Sequence, residues 1–142
     1  MSLRLVKGRP GIGDQVEGIA LVASDNFSAR YDLDRINGVF SRRSHALYGQ
    51  SYVGRILVLN AAKGGVATAW MLREMQARQL GPSALLLNFA NPILAQGAAF
   101  AGLPLIDRFE ADITSVLKSG DRVRVSPRTG EVLVLERDAA QP

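Results

Sequence analysis

Apolar residues dominate segments 16–23, 56–59, 83–89 and 103–107 with few polar interruptions. Such runs are the mark of strands buried on both faces, not of strands with one wetted side. Between the second and third runs the period changes. Over 66–79, Val66, Trp70, Met71, Leu72 and Met75 recur at helical spacing, with Arg73, Glu74, Gln76 and Arg78 opposite. Gly81-Pro82 stops that helix, glycine offering the left-handed cap and proline blocking continuation. Asn91-Pro92 starts a second helix over 92–101, with asparagine as cap and proline in the first turn, and Gly102 closes it. From 56 to 107 the order is therefore strand, helix, strand, helix, strand, which predicts parallel strands joined by crossover helices.

The flanks differ. Residues 24–38 show no clean period and collect Asp, Asn and Ser, which predicts a long loop ending in a short strand. Residues 113–117 fit a turn of helix. Segments 122–125 and 131–135 alternate polar and apolar residues across a Pro- and Gly-containing link, which predicts a hairpin with one solvated face. Residues 1–15, rich in Gly and Arg, are expected to form a flexible arm, 16–137 a single domain, and 138–142 a frayed tail that begins near Arg137. The fold class expected is mixed α/β.

With 142 residues the chain holds one domain with a core of its own. Zero cysteines exclude disulfides, thiol nucleophiles and an iron–sulfur cluster held by this chain's own thiolates. One histidine, His45, leaves little material for a zinc site or a self-contained Ser-His-Asp triad. The net charge of +4 permits an anionic partner, but the basic residues are scattered and no helix carries a dense stripe, so nucleic acid is not the expected ligand. No apolar run reaches the roughly 18–20 residues that span a bilayer. No signal-peptide core precedes the first glycines, and a cytoplasmic location is expected.

Chemistry concentrates after the strand at 56–59. The loop Asn60-Ala61-Ala62-Lys63-Gly64-Gly65 leads from that strand into a helix. Backbone N–H groups and the positive end of a helix dipole converge there, and that arrangement binds phosphate or carboxylate. Lys63 adds positive charge, Gly64 and Gly65 let a ligand approach the backbone, and Thr68 offers a hydroxyl in the first turn. The pattern is not a P-loop, and a tight strand-to-helix turn uses the same glycines. Arg42, Arg43 and His45 form a second cationic group suited to an anionic substrate or an acidic partner, although a loop histidine also serves as a turn hydrogen-bonder.

Taken in order, the blocks GIALVASDNF, HALYGQSYVGRILVLN, LGPSALLLNFANPILAQGAAFAGLPLID and SGDRVRVSPRTGEVLVL resemble the small swivelling domain of the aconitase X family. The most specific are Leu47-Tyr48-Gly49-Gln50-Ser51 and the stretch from Ile93 to Asp107. The resemblance implies a swivelling β/β/α fold, a barrel-like sheet with flanking helices. It implies the small subunit of a hydro-lyase acting on a carboxylate or phosphorylated hydroxy acid such as cis-3-hydroxy-L-proline or phosphomevalonate. The partner would be a large catalytic subunit that carries iron or an iron–sulfur cluster, with no cofactor or metal on this chain. A lone swivelling domain can also pair with a second copy.

Carried onto this sequence, the family's P-x-G-R-G-S loop falls on residues 60–65, so Lys63 stands for its arginine and Gly64 for its glycine. Gly65 takes the place of the serine to which the family's proton transfer is ascribed, and Thr68 is the nearest hydroxyl. The implied substrate contacts are Lys63, Gly64, Gly65, His45 and Ser51, and the implied catalytic groups are Thr68 and Lys63. Ala46 replaces a proline after His45, and Ala29-Arg30 replaces paired glycines after Phe27. The alternative is a structural or regulatory subunit that has lost the reactive serine.

Overall fold

Four of the apolar segments lie side by side and parallel, and their position governs everything around them. The computed structural model describes residues 4–29, 31–62 and 66–137. The first strands are β1 (Arg4–Lys7), β2 (Arg9–Ile12), β3 (Val16–Val22), β4 (Leu33–Asp34), β5 (Val39–Phe40) and β6 (Ile56–Ala61). Helix α1 (Val66–Ala77) leads to β7 (Ala84–Phe89), and α2 (Pro92–Ala101) leads to β8 (Leu105–Asp107). A short α3 (Ile113–Val116) precedes the hairpin of β9 (Arg122–Ser126) and β10 (Glu131–Glu136).

Strands β3, β6, β7 and β8 are parallel neighbours in that order. Their side chains alternate between two cores, which is why the runs are apolar throughout. Leu57, Leu59, Leu85 and Leu87 face α1, α2 and the segment around Phe27, Phe40 and Tyr52. Ile56, Val58, Ala84 and Leu86 face α3 and the hairpin. Each fully buried leucine or isoleucine contributes about 1.5–3 kcal/mol. The mixed α/β class is as expected, a large mixed sheet flanked by helices.

The amino-terminal segment departs from expectation. Rather than a flexible arm, it supplies both ends of the eight-stranded sheet, whose order is β1-β10-β9-β3-β6-β7-β8-β2. Only Gly8 separates β1 from β2, so the chain itself joins the two edges and the sheet curls into a closed barrel. The glycines here serve close approach: a Cβ on Gly11 would lie 1.9 Å from the Leu105 carbonyl oxygen. Gly8 and Gly11 donate to the carbonyls of Gly130 and Pro127 at 2.7 and 2.8 Å. At the other terminus, Arg137 does not fray. Its guanidinium donates to buried Asp121 at 2.6 Å and to the Val116 carbonyl at 3.2 Å. Residues 138–142, expected as a tail, lie outside the described residues.

Helix ends follow local chemistry with one exception. Asn91 accepts from the Leu94 amide at 2.8 Å, and Gly102 takes the left-handed conformation with φ 69°. Helix α1 instead ends at Ala77, and Gln79, not Gly81, turns left-handed with φ 59°. A Cβ at Gly81 would meet the end of the Gln76 side chain, which donates to the Pro82 carbonyl at 3.3 Å. Among the described residues no helix is long and apolar enough to cross a membrane.

Candidate functional site

The carboxyl ends of β6 and β7 carry matching asparagines. Leu59 pairs with Leu87 and Ala61 with Phe89, so Asn60 and Asn88 sit side by side where the apolar runs stop. The Asn88 amide donates to the Asn60 side-chain oxygen at 3.0 Å, and the Asn60 amide to the Asn26 side-chain oxygen at 3.3 Å. Asn88 also donates to Asp112 at 2.8 Å and accepts from the Ile113 amide at 2.9 Å. Asp112 in turn caps α3 through the Thr114 amide at 3.0 Å. One polar chain thus runs over the strand ends from the segment after β3 to the start of α3.

That segment is itself laid along the end of β6. The Asn60 amide donates to the Asp25 carbonyl at 2.8 Å and the Phe27 amide to the Ala61 carbonyl at 2.9 Å. A parallel bridge joins Phe27 to Ala62, the last described residue before the glycine loop. His45 fastens this arrangement from behind. It is 3% exposed and stacks on Phe40 with ring centroids 4.6 Å apart. Its Nε2 lies 2.8 Å from the Asn26 carbonyl oxygen, and its Nδ1 accepts from the Leu47 amide at 3.0 Å. Asp25 and Asp32 carboxylates lie 3.8 and 3.9 Å from Nε2.

Two carboxyl groups in this region are held below their usual range. Partial burial works to raise Asp25, but the hydrogen bonds from the Asn26 and Ala46 amides, with the Arg42 guanidinium nearby, outweigh it. Asp112 is lowered chiefly by the Asn88 side chain and then by the Thr114 hydroxyl. Both remain ionised acceptors at neutral pH.

The expected site residues fall into distinct places. Lys63, Gly64 and Gly65 lie outside the described residues, between the end of β6 and the start of α1. Thr68 is 2% exposed on the inward face of α1, so its side chain is packed rather than presented to a substrate. Ser51 is exposed, but its hydroxyl donates to the Gly38 carbonyl at 3.0 Å and accepts from the Val53 amide, fixing a turn beside β5. His45, expected to contact substrate, has both ring nitrogens engaged inside the protein and supports the loop's approach instead. The asparagine chain lies outside the site residues expected from the sequence. Its signal was present as the parallel endings ILVLN and ALLLN, each an apolar run closed by asparagine.

The model of the aconitase X swivel domain matches residues 5–134. The chain belongs to the aconitase X swivel-domain family. It is 31% identical over 88% of its length to the phosphomevalonate dehydratase small subunit of Methanocella arvoryzae, covering 95% of that protein. With the phosphomevalonate dehydratase small subunit of Pyrococcus horikoshii it shares 34% identity over 92% of its length and 95% of the relative's. The crystal structure of Thermococcus kodakaraensis aconitase X in its holo-form superposes with a TM-score of 0.87 at 30% identity, over 94% of this chain and 99% of that one.

This aconitase X swivel domain has no cysteine, and among the described residues no three His, Asp or Glu side chains gather as a metal site. The described residues therefore offer the donor set of neither an iron–sulfur cluster nor a mononuclear iron centre.

Proposed function

We propose that this chain is the small subunit of a hydro-lyase that removes water from phosphomevalonate or a similarly anionic hydroxy acid. The observation that carries the reading is the near full-length match to phosphomevalonate dehydratase small subunits, at 31% identity over 125 residues. It is supported by the position of the glycine loop, between a buried parallel strand and the first turn of a twelve-residue helix. Substrate would bind in a cleft shared with a larger subunit, its anionic group against Lys63 and the loop amides.

Loss of water needs a base for the proton and an acceptor for the departing hydroxide. The larger subunit, not this one, would bring iron or an iron–sulfur cluster as the Lewis acid. On this chain Gly65 has no hydroxyl and the Thr68 side chain is packed inward. Lys63 is then the remaining residue of the loop able to carry a proton, and otherwise the partner supplies the base. Those same two residues favour a second reading, a structural or regulatory subunit that retains anion binding without proton transfer. The deciding experiment is co-expression with a large-subunit relative and assay of water loss from phosphomevalonate, cis-3-hydroxy-L-proline and citrate-like acids. Turnover by the pair and not by the large subunit alone is expected. A large subunit equally active alone would establish the second reading, and no turnover by a metal-replete pair on any of these acids would reject the hydro-lyase.

A further inference from the structure

We propose that the groove between α1 and α2 is the docking seat of the larger subunit, an inference that rests on the small-subunit reading. The groove has a volume of about 300 Å³. Its walls are Val66, Trp70, Ile93 and Phe100, which are 63, 63, 43 and 72% exposed. Four large apolar side chains around one depression are costly to leave in water and mark an interaction surface. The floor is shallow because the helices touch there: a Cβ on Gly97 would lie 2.5 Å from that of Ala69.

Charge and continuity choose the occupant. Arg73 lines the groove with its guanidinium 5.7 Å from the centre of the Trp70 ring, and no carboxylate among the described residues pairs with it. The nearby Glu74 is paired with Arg78 on the same helix at 3.6 Å. The groove therefore suits an apolar projection flanked by a carboxylate. A two-fold pairing of this face with a second copy would offer Arg73 only the same lining, which holds no carboxylate. Val66 is both a wall of the groove and the first residue of α1, so the groove begins where the Lys63–Gly65 loop ends. A subunit that reaches the first turn of α1 lies over the groove as well. Aromatic residues with an arginine at the margin are the composition of interface hot spots.

The test uses the full chain with its large subunit, titrated by sedimentation velocity. Trp70→Glu and Phe100→Glu should each weaken the complex by roughly tenfold or more. Arg73→Glu should weaken it and remove part of its salt dependence. Ile36→Glu, at a residue 77% exposed and outside the groove, should leave affinity unchanged. Thermal melts verify that each variant is folded. Wild-type affinity in both aromatic variants overturns the groove assignment while the small-subunit reading stands. Absence of any complex with the wild-type chain overturns that reading and the groove with it. If Trp70→Glu instead converts a dimer of the lone chain to monomer and leaves the large subunit bound, the occupant is a second copy and the proposal fails.

Discussion

At the scale of single residues, the partners of His45 assign its proton. An amide N–H donates to Nδ1, so that nitrogen carries the lone pair, and Nε2–H donates to the Asn26 carbonyl. The ring thereby joins the Asn26 segment to the turn at Leu47. His45→Ala should cost about 2–4 kcal/mol in urea unfolding, since it empties a packed site and strands two polar groups. His45→Gln, whose amide can still donate toward Asn26, should cost less than half of that. Asp112 makes a second prediction. Its carboxyl is lowered in the folded state from 3.8, so its contribution is fully present above that value and is lost as pH falls through the folded one. Asp112→Asn should melt below the wild type at pH 7, and the two melting curves should converge on acidification below about pH 4, as read by circular dichroism. Local residue chemistry was legible in advance where partners are near in sequence, as at the Asn91 cap. His45 was not, because its partner Asn26 lies 19 positions away and nothing in RRSHALYG names it.

Elements were legible by period and misjudged by environment. The helical spacing of α1 is plain in the sequence, but spacing alone does not say whether its apolar residues share one face. They occupy two. Thr68, Leu72 and Met75 are buried, whereas Val66 and Trp70 are exposed with Arg73 beside them. The second stripe starts two residues before the first, about 200° around the axis at 100° per residue. A pattern of apolar positions shows that a face wants cover without showing whether the sheet or another chain provides it. The amino-terminal strands show the converse limit. Their glycines and arginines resemble a loose arm in isolation, and only the backbones of Leu105 and Gly130 across the barrel give the glycines their purpose. Gly11→Ala should therefore destabilise by about 1–3 kcal/mol or more, as forced overpacking against backbone does. The check is a lowered urea midpoint with an unchanged slope. A midpoint equal to the wild type would mean that β2 is not held closely against β8.

For the molecule as a whole, the strand–helix alternation foretold the parallel core, and closure by β1 and β2 escaped because edge pairing joins residues about a hundred positions apart. The parallel pairing of β6 with β7 sets their carboxyl ends side by side, and the loop that follows β6 offers the proposed anion one lysine and backbone amides. In the proposed reading an anion held by one lysine and backbone amides gains from the exclusion of water, which strengthens each interaction. Anion affinity should accordingly be weak in the lone chain and emerge on assembly. In thermal-shift measurements the large subunit alone should raise this chain's melting temperature, and phosphomevalonate should raise it further only in the pair. A ligand at a hundred times its dissociation constant stabilises by about 2.7 kcal/mol, so the second increment is measurable. Lys63→Ala should abolish most of that increment and leave the first intact, because the lysine is assigned to the anion and the α1–α2 groove to the partner. Loss of both increments would place Lys63 in the subunit contact. Retention of both would reduce the glycine loop to a strand-to-helix turn and move anion binding to the other subunit.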